Sequence, residues 1–341
     1  MYKIIDRQSI NLEGIQILRM LLSLWIVLIH CCNIRNKILQ FLLLDKKFHV
    51  PIFFMTSFYF FYDKLYLRSL SKIKIRLERL LIPYIIFPII ILILNNVFFV
   101  GINLDSPYRK LTLFDLIKQL IFGIGIHDIF WFQFFMLFLS ILFSIIALIF
   151  KKRFLLILQL LLIICYLLQY SAKAFEYFMT FKEKPYRYMG SIVEAIPYTV
   201  TGLTLSSCNL INKIKDKKEI FFLNIIALYF IKKYDIIRSI NGFRYPGLAL
   251  NIGGICLFIC FSFIKFIKKP KFLFIMNKHI TNYTGGIYYL HIVVLNIFKN
   301  KISLIGNKTM LGGFIIYIIS YFICFIGVRI FGKTKLKNLF Y

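Results

Sequence analysis

The sequence predicts an all-α, polytopic integral membrane bundle of about ten transmembrane helices with both termini cytoplasmic, and three observations predict it. Of the 341 residues 60% are hydrophobic, and the mean hydropathy is +0.78, more apolar surface than a soluble chain of this length can bury. The apolar residues run in long blocks of the length a helix needs to cross a bilayer. They lack the alternating segments of about ten residues that mark a transmembrane barrel, and in lipid such blocks must be helices to satisfy their own backbone hydrogen bonds. Lastly, the Lys and Arg residues behind the net charge of +29 gather at block ends, where they anchor helices and set topology.

The spans follow in order. The first covers 14–33. Lys3 and Arg7 precede it and no small-residue cleavage site follows, so it reads as a retained span and not a removed signal peptide. The second (49–66) and third (80–101) are separated by the basic run from Lys64 to Arg79. An outer loop over 102–128 contains a stretch, 113–122, with the character of a short interfacial helix. The fourth (129–150) and fifth (154–170) flank Lys151, Lys152 and Arg153, and a second outer loop, 171–189, leads to the sixth, 190–208. The basic stretch Lys213 to Lys218 precedes the short seventh span, 220–231. The eighth (245–267) ends before the cluster Lys268 to Lys271, and the ninth (281–298) and tenth (310–331) lead to the basic tail Lys333 to Lys337. With ten spans the densest basic clusters share the cytoplasmic side; one span more or fewer would divide them. Residues 1–341 read as one membrane-embedded domain, multi-pass in the inner or plasma membrane, with no soluble domain, repeat or low-complexity tract.

Composition also excludes classes of function. Basic residues mix with aromatics only beside spans, so anionic lipid headgroups are their expected partners and nucleic acid is not suggested. Of the seven cysteines, Cys256 and Cys260 share a helix face, but no His or Cys nearby completes a metal set, and no metal is expected. There is no Gly-x-Ser-x-Gly elbow and no Walker motif.

Ionisable groups inside spans are costly, which makes each a functional candidate. Arg19 and His30 lie eleven residues apart in the first span, about three turns, hence on one face with a rise of roughly 16 Å. They read either as a cation and a general base aligned across the membrane, or as a snorkelling Arg and a packing His. Arg76 and Arg79 share a face at the start of the third span. Two guanidinium forks there suit a phosphate; an ordinary positive-inside cluster, continuing the basic residues before them, is the plainer reading. His49 and Glu194 begin the second and sixth spans at about the depth of His30. A carboxylate beside an imidazole fixes its tautomer; an interfacial His and an ion-paired Glu are the plainer readings. Tyr288 and His291, one turn apart in the ninth span, either line a channel or make interhelical hydrogen bonds.

These residues stand in segments that resemble the acyltransferase-3 family of membrane enzymes. The first span, "GIQILRMLLSLWIVLIH", is similar to the family's start, with Arg19 and His30 in place. "HVPIFFMTSFYFF" (His49 to Phe61) looks like its second span; Ser57 is present, and Phe58 stands where Gly is usual. "RLERLLIPY" (Arg76 to Tyr84) resembles its Arg-x-x-Arg followed by Pro-Tyr, Trp131-Phe132 opens the fourth span as the family does, and "GIYYLH" (Gly286 to His291) resembles its late Tyr-x-x-His. The matches run the length of the chain in order. The resemblance implies transfer of an acyl group, acetyl in the usual case, from acetyl-CoA or another acyl-CoA to an extracytoplasmic glycan or lipid-linked glycan. Arg76, Arg79 and Arg19 would then hold the CoA phosphates and His30 would act as general base or transient acyl carrier. His49 or Glu194 would orient His30, and Tyr288, His291 and Ser57 would line the substrate channel. The competing reading is an exporter or flippase of polysaccharide or a small anion, since buried Arg and His suit that too; the paired broken helices of two related halves that would favour it are not visible.

Overall fold

A computed structural model describes residues 12–31, 49–97, 111–123, 126, 130–150, 153–170, 184–214, 217–240, 247–263, 280–298, 302–306 and 309–340. Among the described residues there is no strand. The principal helices are α1 (Leu12–Cys31), α2 (His49–Tyr66), α3 (Leu70–Val97), α4 (Leu113–Phe122), α5 (Phe130–Ile149), α6 (Phe154–Tyr170), α7 (Lys184–Ser207), α8 (Lys218–Ile240), α9 (Gly247–Ser262), α10 (Thr284–Phe298) and α11 (Met310–Phe331). Single helical turns at Leu210–Ile214 and Ser303–Gly306 and 3-10 turns at Thr281–Tyr283 and Lys335–Leu339 complete them. Among the described residues four helices are long and apolar enough to cross a membrane, within Gly14–Cys31, Leu70–Asn96, Phe130–Ile149 and Met310–Phe331. Large apolar side chains stand exposed along them and along other helices, among them Leu160, Ile163, Phe222, Leu223 and Ile326. A water-soluble protein does not display so much apolar surface; this is a membrane protein.

Helix bounds depart from the expected spans where helix-forming polar residues adjoin an apolar block. α3 starts at Leu70, ten residues before the span expected from 80, because Leu, Lys, Arg and Glu of the basic run are good helix formers. It continues through Pro83 and Pro88. Pro83 removes a hydrogen bond from the helix ladder, and the neighbouring Leu80 carbonyl accepts one from Gln133 Nε2 at 2.5 Å. α7 starts before the expected 190 and α8 runs past the expected 231, to Ile240.

The chain divides into two compact units. The first holds Met1–Arg19, Lys47–Leu67 and Ile146–Asn277. Here α2 lies close against α7. A Cβ at Gly202 would collide with the Met55 carbonyl, and the Ser206 hydroxyl donates to the Tyr59 carbonyl at 2.8 Å. Close approach on α2 therefore comes from a glycine on its neighbour, while Phe58 is fully buried and meets Phe61 edge-on.

The second unit holds Met20–Lys46, Arg68–Ile145 and Lys278–Tyr341. α10 runs through its core and is buried at Ile287, Tyr289, Leu290, His291, Ile292, Val293, Val294 and Leu295, nearly all round, as an apolar central helix must be. α11 packs on it, and the C-terminal turn docks at its start: a Cβ on Gly286 would lie 2.6 Å from Cys324 Sγ and 2.7 Å from the Phe340 carbonyl oxygen. The helix expected over 113–122 is present with those bounds, opened by a capping box between Thr112 and Asp115 and closed by Gly123 at φ 76°. It runs lengthwise along α3. Asn96 Nδ2 donates to the Leu111 carbonyl at 2.8 Å, while the Tyr84 hydroxyl bonds the Gln119 and Leu120 carbonyls. Those α3 anchors are twelve residues apart, roughly 18 Å along the axis. α4 turns Asp115, Leu116 and Gln119 inward and Leu113, Phe114, Ile117, Ile121 and Phe122 outward.

Candidate active site

The second unit brings two of the predicted residues into ring contact. His30, half-buried one residue before the end of α1, lies 5.4 Å from His291, centroid to centroid, with 36° between the ring planes. His291 is completely buried in α10. Its Nδ1 is 3.1 Å from the carbonyl oxygen of Ile287, one turn earlier. A carbonyl only accepts, so Nδ1 carries the proton, and in the neutral ring Nε2 is the acceptor.

Aromatic packing fixes this part of α10. Tyr289 stacks on Phe87 of α3 at 4.9 Å and on Phe130 of α5 at 6.2 Å. Tyr288 meets Phe132 at 5.3 Å and the edge of His291 at 6.1 Å. Tyr288 and His291 thus stand beside each other as the one-turn spacing requires. One hydrogen bond of His291 lies within its own helix.

α1 is tied down below His30. The Ser23 hydroxyl donates to the Met20 carbonyl at 2.7 Å, so at the 3.0 Å contact between Ser23 and Tyr317 of α11 the Tyr317 hydroxyl is the donor. Both side chains are buried. Sequence reasoning passed over this pair, although Ser23 is four residues after Arg19 and seven before His30, on the same helix face.

The two α3 arginines differ. Arg76 is half-buried, and its Nε donates to Ser140 Oγ of α5 at 3.1 Å. Ser140 is fully buried and donates onward to the Met136 carbonyl at 2.6 Å. Ser140 is the eleventh of the twenty residues of α5, so Arg76 is anchored midway along an apolar helix. Arg79 is exposed. Between them Glu78 pairs with Lys335 of the C-terminal turn at 2.9 Å. Ser140 was the other residue missed; its signal is Ser144 one turn on, a second hydroxyl in a block that is apolar apart from these two and Gln133.

The remaining predicted residues belong to the first unit, described by itself. Arg19 and Ser57 are half-buried there. His49 opens α2 and Glu194 lies within α7, but their side chains fall outside the described residues.

Comparison with known families adds one match. The acyltransferase-3 family model, described as an acyltransferase domain, matches residues 12–329. No curated protein and no solved structure matches the chain.

Proposed function

The chain belongs to the acyltransferase-3 family, and from that premise we propose that this acyltransferase moves an acetyl or other acyl group from acyl-CoA to a hydroxyl of a cell-surface polysaccharide or lipid-linked glycan. It does so as a ten-span protein of the inner or plasma membrane with both termini cytoplasmic, its basic helix ends resting on anionic headgroups. The observation that supports this reading most is that Arg76 and His30, the anion-binding and base residues, belong to one compact unit.

Arg76, steadied by Ser140 through its Nε, carries a planar guanidinium, the group suited to bind a CoA phosphate bidentately. Arg79, exposed on the same helix, adds a second cation, and Arg19 keeps its sequence-based role along the path of the donor. His30 takes the proton of the acceptor hydroxyl. The oxygen bonds to the acyl carbon as the carbon–sulfur bond of the thioester breaks. His30 then returns the proton to the departing sulfur, so the imidazole ends as it began.

Membranes supplied with labelled acetyl-CoA and acceptor glycan test this. His30→Ala should lower turnover by about 10²–10⁴-fold, the usual contribution of a general base, with the protein inserted at parental levels. Arg76→Ala should instead raise KM for acetyl-CoA about tenfold or more, as loss of a charge-assisted hydrogen bond does. Full activity in His30→Ala would overturn the mechanism.

A further inference from the structure

We propose that α4 is a half-helix inserted end-on into the outer leaflet, its exposed face covered by lipid acyl chains and its buried face walling the core around His30. The insertion follows from geometry within the second unit alone. Only the side of entry rests on the ten-span topology proposed above, in which the Asn96 end of α3 faces outward.

The first observation is the path of α4. It descends along α3 from Asn96 to Tyr84. Tyr84 is the fifteenth of the 28 residues of α3, so α4 ends at mid-height of a helix long and apolar enough to cross a membrane. Between those anchors, Ile85 to Leu94 carry no charged or hydrogen-bonding side chain, and Ile85 and Ile93 are exposed. The lipid-facing surface of α3 thus runs alongside α4. A helix lying flat on the membrane would meet the end of a span and not its apolar length. Ten residues make α4 about 15 Å long, half of a hydrocarbon core of about 30 Å.

The second observation is its reversed amphipathicity. A helix on a membrane surface turns its charged groups to water. α4 instead buries Asp115 and Gln119 against the protein, while Leu113, Phe114, Ile121 and Phe122 are each more than half exposed. Lys118 Nζ lies 4.3 Å from the Phe114 ring centre, one turn back toward the start of the helix. That is the direction in which a lysine inside the bilayer reaches headgroups.

The third observation is how the helix stops. Backbone that leaves a helix at membrane depth must be satisfied by protein. The Gln119 carbonyl accepts from the Gly123 N–H at 2.9 Å and from the Tyr84 hydroxyl, which also meets the Leu120 carbonyl at 3.2 Å. The Ile126 N–H donates to Gln119 Oε1 at 3.1 Å. A Cβ on Gly123 would lie 2.7 Å from the Phe134 ring, so α5 covers this end. On the inner side Leu111, Leu116 and Ile126 join Val27, Leu28 and Cys31 of α1 in one buried core, which α4 separates from hydrocarbon.

Tryptophan quenching by brominated phosphatidylcholines tests this in reconstituted full-length protein. One lipid carries bromine near the headgroup end of its acyl chains and the other near the methyl end. Phe114→Trp and Phe122→Trp replace exposed aromatic side chains near opposite ends of α4, and the parent's quenching, from Trp25 and Trp131, is subtracted. The added fluorescence of Phe122→Trp should be lost most to the deep bromines, and that of Phe114→Trp most to the shallow ones. Equal, shallow quenching of both would mean a helix lying flat, and no quenching of either would mean a helix in water; each overturns the proposal. Should Phe122→Trp fail to insert, Ile121→Trp takes its place with the same expectation. The readout is depth alone, so a failed topology or an absence of acyl transfer leaves the inference standing, and shallow quenching defeats it without touching either.

Discussion

At the scale of single residues, the cost of keeping a guanidinium among apolar helices is met by hydrogen bonding. Arg76 reaches Ser140, Ser140 reaches the Met136 carbonyl, and the buried hydroxyl thereby fixes the direction of the charged fork. Ser140→Ala should raise KM for acetyl-CoA about threefold to tenfold, the range for an ordinary hydrogen bond, with turnover nearly unchanged, and Ser140→Thr should restore it. Steady-state kinetics on membranes decides this; an unchanged KM would remove Ser140 from the site. His30 stood out in the sequence as an ionisable residue inside an apolar block, and Arg76 as part of the Arg-x-x-Arg that ends the basic run before the third span. Ser140 did not, since a serine in an apolar helix usually bonds back to its own helix, and its second partner lies 64 positions away along the chain. The His30–His291 contact was hidden for the same reason: each histidine was visible, but nothing in either segment says that the two helices meet.

At the scale of elements, small residues set how closely helices approach. On α2 the family's usual glycine is replaced by Phe58, and the close contact falls instead at Gly202 of α7 against the Met55 backbone. Gly202→Ala puts a methyl group where backbone cannot move aside, so it should destabilise the first unit by about 1–3 kcal/mol, the range for overpacking. A thermal melt in detergent should show a lower Tm; an unchanged Tm would mean the two helices separate easily. Apolar blocks located the helices well, as α1, α2, α4, α6, α10 and α11 show. They located helix ends less well, because hydropathy reports which residues suit lipid and not where the backbone ladder stops. The basic residues of α3 belong to the helix as fully as the apolar ones do.

At the scale of the molecule, the all-α membrane class was legible from composition alone, since a 60% hydrophobic chain has few alternatives. The division into two units was not. Each unit gathers three stretches of chain, and one of the boundaries falls inside α1, between Arg19 and Met20, within a continuous apolar block. The proposed ten-span topology has its own check. Cysteines placed near residue 3 and in the tail beyond 333 should react with an impermeant thiol reagent only from the cytoplasmic side. Cysteines in the 171–189 loop should react only from outside. Ends on opposite sides would require an odd number of spans and would divide the basic clusters.

The central claim is that this protein esterifies a surface glycan through His30. Mass spectrometry of that glycan tests it most directly, comparing cells with the intact gene, a deletion, and His30→Ala at matched membrane levels. The account predicts an ester mass in the first that is missing from the other two. An unmodified glycan in every strain, with less of it exported in the deletion, would contradict acyl transfer and identify an exporter.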